Sequence, residues 1–210
     1  MPARGDHDAR RRDVSEAVWR VLAEHGFGGL TLRAVAAEMG ASTGLLTHYF
    51  PNKRALVAHA LDVADERTAN RPLRTARPGL PALRAALLDV LCLTPDATAM
   101  NRVWVSSWDV SLADPGLAAR QRDRYAGWRD RLRPHAQAAV ARGELPGSRA
   151  VDDIVASAAA FAHGLVVHAL FDPAGYPPDR QIAMLDGFLA ALAAPPPDSP
   201  ADSGRAMLGS

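Results

Sequence analysis

Leu30-Thr-Leu-Arg-Ala-Val-Ala-Ala-Glu-Met-Gly-Ala-Ser-Thr-Gly-Leu-Leu-Thr-His-Tyr-Phe50, continued by Pro51-Asn52-Lys53, decides the fold of this chain. It reads as two short helices joined by a tight turn. Thr31 is placed to cap the first, because its hydroxyl can accept from a free backbone N–H of the opening turn. Leu32, Val35, Ala36 and Met39 recur at i, i+3, i+4 and i+7 and give one inward stripe. Gly40 stands where a helix usually stops in a left-handed residue. Ser42 is placed to cap the second helix, whose Leu46 and Phe50 point inward together. Thr43, Gly44, Leu45, Thr47, His48 and Tyr49 are left facing out or sideways, a slim polar surface on which Gly44 permits close backbone approach. The pattern predicts a helix-turn-helix whose second helix reads a DNA major groove.

Outward from this segment the chain reads as successive helices with clear breaks. Asn52 can cap a fourth helix from Lys53 to about Thr68, closed by Asn70, Arg71 and Pro72. A Pro/Gly stretch then leads into Ala82–Leu93, and Thr94 and Pro95 start a helix running through Trp104 and Trp108 to Leu112. Asp114, Pro115 and Gly116 begin a long Arg-rich amphipathic helix to about Arg142, ended by Gly143. Residues Asp152–Phe171 are apolar nearly all round and stop at Asp172 and Pro173. Pro177 and Pro178 open the last helix, to about Ala193. No strand pattern and no repeat appears, so the predicted class is all-α, with about nine helices. The expected organisation is a DNA-binding domain over 1–52, an effector-binding and dimerisation domain over 53–194, and a disordered Pro/Ser-rich tail over 195–210.

These residues resemble the DNA-binding domain of the TetR family of one-component repressors. The likeness runs from about Arg11 to Glu66. It rests on the helix Val14–His25, Gly26-Phe27, Thr31-Leu32-Arg33, Val35-Ala36, Gly40, Ser42, Gly44, His48-Tyr49-Phe50 and Lys53. Within that family, the stretch from Ser42 to Phe50 is similar to the branch that includes the choline-sensing betaine repressors. Thr47 departs from the commonest pattern, in which many members carry Tyr. The resemblance implies a repressor released from its operator when a small molecule enters the C-terminal domain. It implies an effector seated between the fourth and eighth helices, whose entry tilts the fourth helix, and a dimer joined by the last two helices as a four-helix bundle.

Composition agrees with a compact helical protein. A length of 210 residues with 48% apolar content holds one small DNA-binding domain and one larger helical domain. No run reaches the roughly 18 unbroken apolar residues of a membrane span. The N-terminus lacks the apolar core of a secretory signal. Cys92 is the single cysteine, so a reducing cytoplasm is the expected compartment. Net charge is only +1, and residues 1–60 hold eight basic side chains against six acidic ones. Because DNA affinity rests largely on phosphate neutralisation, the positives must be placed rather than abundant.

The expected DNA contacts follow. Thr43, Gly44, Leu45, Thr47 and His48 are expected in the major groove of a palindromic site, Leu45 against a thymine methyl and Thr47 and His48 in hydrogen bonds. Thr31, Arg33, Ser42, Tyr49 and Lys53 are expected on phosphates, Lys53 aided by the free N–H groups of a helix start.

Asp152–Phe171 is either a central core helix or a shared interface, and we favour the interface, paired with Arg180–Ala193. Its expected contact residues are Ala158, Ala162, Gly164, Leu165, Leu185, Phe188 and Leu189. Candidate effector-lining residues are Trp104, Trp108, Tyr125, Trp128, Phe161, His163 and His168. Paired aromatics could hold a cation. Only Asp109 stands ready to assist, which ranks an apolar or aromatic ligand above a quaternary amine.

The chain offers no enzyme signature. Seven histidines form no metal-ligand spacing, no nucleophile elbow or phosphate loop is present, and Gly26-Phe27-Gly28-Gly29 is a turn between helices. Cys92 in an apolar helix reads as a packed thiol. No cofactor, metal or membrane is expected. The alternative, a helical small-molecule binding or interaction module without DNA function, leaves residues 31–53 unexplained.

Overall fold

The computed structural model describes residues 4–194; the tail expected over 195–210 lies outside the described residues. Those residues form nine helices and no strand. They are α1 (Arg4–His25), α2 (Leu32–Glu38), α3 (Thr43–Tyr49), α4 (Lys53–Ala69), α5 (Leu80–Leu88), α6 (Pro95–Ala113), α7 (Pro115–Ala141), α8 (Val151–Phe171) and α9 (Pro178–Ala193). The all-α expectation holds.

Helix starts are written in side chains. Thr31 accepts from the Ala34 N–H at 3.0 Å, Asn52 from Ala55 at 2.9 Å and Thr94 from Ala97 at 3.1 Å. Asp114 accepts from both Gly116 and Leu117. Each bond satisfies a donor that the helix ladder cannot reach. Gly40, at φ +61°, ends α2 in a left-handed turn. The Ala41 N–H returns to the Ala36 carbonyl and the Gly40 N–H to Ala37, so the chain reverses within three residues.

α5 ends five residues before its sequence-based expectation. Beyond Leu88 the chain continues as turns, because side chains replace the ladder. The buried Gln181 accepts the Cys92 N–H at 3.0 Å and donates to the Cys92 carbonyl at 3.2 Å. Asp89 accepts the Arg74 N–H and pairs with its guanidinium at 2.6 Å.

Two cores result. The first joins α1 (Val14, Val18, Val21, Leu22), Phe27, Leu30, α2, Leu46, Phe50 and the apolar face of α4 (Leu56, Val57, Ala60, Leu61, Ala64), and is completed by Val103 and Trp104 of α6. The second joins α5, α7, α8 and α9 around Leu87, Leu132, Ile154, Ala158, Leu165 and Leu185. By length and composition α8 could cross a membrane, although two aspartates, a serine and two histidines break its apolar run. In this fold its buried side packs on α5, α6, α7 and α9.

Candidate functional site

The helix-turn-helix presents one continuous outer surface. Leu46 and Phe50 are buried and anchor α3, which leaves Thr43, Gly44, Thr47 and His48 exposed on its far side. Thr31, Arg33, Ser42 and Lys53 are exposed around them. Leu45 and Tyr49 are half-buried, Tyr49 with its ring 6.5 Å from that of Phe50. The Thr47 hydroxyl donates to the Gly44 carbonyl at 2.8 Å, so toward solvent it offers lone pairs. Thr31 and Ser42 spend lone pairs on their caps and keep a hydroxyl proton to donate.

Charge around this face is sorted by ion pairing. Arg20 pairs with Glu38 and Arg54 with Asp114, and at the far end of α4 Arg67 pairs with Glu16. Among the described residues Arg33 and Lys53 make no salt bridge. Lys53 and Arg54 open α4, whose first ladder bond runs from the Leu56 N–H to the Asn52 carbonyl, so their own N–H groups precede the ladder.

A cavity of about 460 Å³ lies between α4, α6, α7 and α8. Five of the seven sequence-predicted lining residues meet there: Trp104, Trp108, Tyr125, Trp128 and His163. Phe161 stands elsewhere, stacked on Phe188 with centroids 4.2 Å apart. His168 stacks on Tyr176 at 5.0 Å, also outside this lining. Asp109 is exposed and not in the wall. Sequence reasoning missed Asp65, Thr68, Arg71, Asn101, Arg124 and Arg131. The Arg-rich face of α7 resembled a solvated face, and Arg71 resembled part of a helix stop. The one local signal was Arg124 next to Tyr125.

The wall is part aromatic and part cationic. The Arg124 guanidinium lies 3.4 Å from the Trp104 ring centroid, and burial pushes its pKa down. The Trp104 indole donates to Thr68 Oγ1 at 3.0 Å, and that hydroxyl in turn donates to the Ala64 carbonyl at 2.8 Å. His163 sits against Trp128 at 4.7 Å and Tyr125 at 5.1 Å. Burial, with Arg124 adding repulsion, lowers its pKa to about 4 and keeps the imidazole neutral. Asp65, the acidic member of the wall, is held by Arg120 at 2.6 Å.

α6 ties this cavity to the reading head. Ser106, two residues beyond Trp104, accepts the Phe27 N–H at 3.1 Å in the turn after α1. Gly26 in that turn sits at φ +61°, and a Cβ there would lie 2.8 Å from the Ser106 hydroxyl, so close approach requires glycine.

The outer face of α8 and α9 is built of small residues. Ala156, Ala160 and Gly164 are exposed on α8, and Ala183, Gly187 and Ala190 on α9. Phe171 is 81% exposed at the end of this face. Of the expected interface residues, Gly164 is exposed and Phe188 half-buried. Ala158, Ala162, Leu165, Leu185 and Leu189 point into the chain's own core.

Two family models match the chain. Residues 15–60 match the family described as bacterial regulatory proteins, tetR family, and residues 80–194 match the BetI-type transcriptional repressor C-terminal family. The HTH-type transcriptional regulator PksA of Bacillus subtilis is 30% identical over 184 residues, 86% of this chain and 88% of that protein. The HTH-type transcriptional regulator BetI of Burkholderia cenocepacia is 30% identical over 125 residues, 58% of this chain and 64% of that protein. A transcriptional regulator from Saccharomonospora viridis, solved in complex with choline, superposes with a TM-score of 0.75 at 22% identity. That match covers 87% of this chain and 96% of the other, a likeness of fold.

Proposed function

The chain belongs to the TetR family and carries a BetI-type C-terminal domain, and from that premise we propose how this ligand-responsive DNA-binding regulator reads and leaves its operator. The observation that carries the proposal is the outward face of α3, where Thr43, Gly44, Thr47 and His48 stand clear of the core on a helix anchored by Leu46 and Phe50. That face enters the major groove of one half of a palindromic site. Leu45 meets a thymine methyl at its edge. Thr47, with its proton committed to Gly44, accepts from an adenine or cytosine amino group. Thr31, Arg33, Ser42, Tyr49 and Lys53 hold phosphates, and the leading N–H groups of α4 assist Lys53.

One such head buries little DNA, so the acting species is a homodimer that spans two half-sites, joined through the outer faces of α8 and α9. An effector in the cavity of about 460 Å³ touches α4 through Thr68 and α6 through Trp104, the elements that carry the reading head. If it prefers the arrangement in which the two heads are mis-spaced, it releases DNA; equal affinity for both arrangements would shift nothing. The reading places the protein in the cytoplasm, with no catalysis of its own.

The test is titration of DNA from the chain's own promoter region with wild-type and Lys53→Ala protein across a salt series. Lys53→Ala should weaken binding to every sequence alike and flatten the log–log salt slope by about one for each chain that contacts DNA. Thr47→Val should instead relax preference at one symmetric pair of positions. An unchanged slope in Lys53→Ala would remove the phosphate assignment.

A further inference from the structure

Two buried donors beside the cavity have no protein partner among the described residues. Trp108 Nε1 and Arg71 Nε are both buried and without a hydrogen-bond partner. A buried donor without a protein partner is costly, which makes this wall electropositive. Charge points the same way. Arg71, Arg124 and Arg131 line the cavity, and among the described residues none of them makes a salt bridge. The nearby carboxylates are committed: Asp65 to Arg120, and Asp89, which attracts Arg71, to Arg74. The aromatic face that a quaternary amine would need on Trp104 is already covered by Arg124 at 3.4 Å.

Resting on the reading of this cavity as the effector site, we propose that the effector is an aromatic or apolar anion, a carboxylate, sulfonate or phosphate ester. Its charged group would lie against the guanidiniums of Arg71 and Arg131, which line the cavity, and its rings would lie among Trp108, Tyr125 and Trp128. Arginine suits this role, because its planar fork matches a carboxylate or phosphate and cannot lose its charge. A cation would meet three guanidiniums with no free carboxylate to offset them. The chain therefore parts from choline, the ligand of its structural neighbour, by the charge of its wall.

Two fluorescent probes separate the possibilities in the full-length protein. 8-Anilinonaphthalene-1-sulfonate carries an anion, and N-phenyl-1-naphthylamine has the same rings without it. The sulfonate should bind about tenfold tighter, as expected for charge-assisted hydrogen bonds to the half-buried Arg71 and the exposed Arg131. Arg71→Met should remove most of that preference, Arg131→Met a smaller part because its side chain is exposed, and both should leave the neutral amine's affinity within about threefold. Millimolar choline should not displace the sulfonate.

Equal affinity for the two probes, a preference that survives the double Arg→Met variant, displacement by choline, or binding of neither probe would each overturn the proposal. Should a variant fail to fold, the comparison of probes on the wild type still decides. Operator retardation run in parallel keeps the two readings apart. A sulfonate preference with unchanged operator affinity sinks the release reading and leaves the ligand class standing. Release by choline or by the neutral amine sinks the ligand class alone.

Discussion

His163 is held in a form that acid must pay to change. Its pKa falls from the ordinary 6.5 to about 4 because the ring is packed between Trp128 and Tyr125 near the charge of Arg124. The unfolded chain therefore takes up a proton near pH 6.5 that the folded chain refuses until about pH 4. The group's effect on stability is flat above 6.5, grows more destabilising as pH falls through this window, and levels off below about 4. His163→Phe should melt with a visibly shallower pH dependence between those limits. His59, also pushed down by burial, remains in both proteins, so the difference isolates His163. Parallel melting curves as a function of pH would refute the buried neutral state. At this scale the sequence was partly legible. A histidine on an apolar helix announces a buried partner, and His163 has its aromatic neighbours. It does not announce the nearby charge of Arg124 on another helix, because nothing in local spacing encodes which face of α7 turns inward.

The helices show the same division between what periodicity carries and what it omits. Thr31, Ser42, Asn52, Thr94 and Asp114 all cap as their types predict, because a cap is a contact within four residues. α5 stops early because its competitors, Gln181 and Arg74, come from outside the helix. For α8 the composition showed cover on several sides and left open which cover was the chain's own. The structure turns Ala158, Ala162 and Leu165 inward and leaves Ala156, Ala160 and Gly164 outside. That assignment sharpens the test of the dimer. A Cβ at Gly164 or Gly187 meets nothing within 4 Å in the single chain. Gly164→Leu and Gly187→Leu should therefore leave each protomer folded, with helix propensity improved by roughly 1 kcal/mol per site. Both should still shift sedimentation toward monomer and lose tight operator binding. Phe188→Arg is a poorer probe, since it also breaks the stack on Phe161. Dimers of unchanged affinity in both glycine variants would move the interface elsewhere.

At the scale of the whole molecule, charge is economical: in a net +1 chain Arg33 and Lys53 make no salt bridge among the described residues, while Arg20, Arg54 and Arg67 are tied to carboxylates. The path from cavity to head is short. Trp104 and Ser106 sit on one helix, the first in the cavity wall and the second on the turn after α1. Ser106→Ala should leave probe binding in the cavity intact but shrink the factor by which an effector changes operator affinity. That factor is a linkage quantity and can be measured from either ligand. An undiminished coupling factor would mean that α4 alone carries the signal. None of this route was readable from the sequence, since Phe27 and Ser106 are far apart along the chain and meet only when both cores have formed.

Val103 and Trp104 complete a core otherwise built from the first four helices, while their own helix also walls the cavity. The unit of α1 to α4 is thus an unfinished object, with a slot where an indole belongs. Severed from the rest, it would expose that slot to water; joined to the rest, neither half can melt without opening the other. A DNA-reading unit cut free at a linker should accordingly lose stability. Its borders run through the middle of α6.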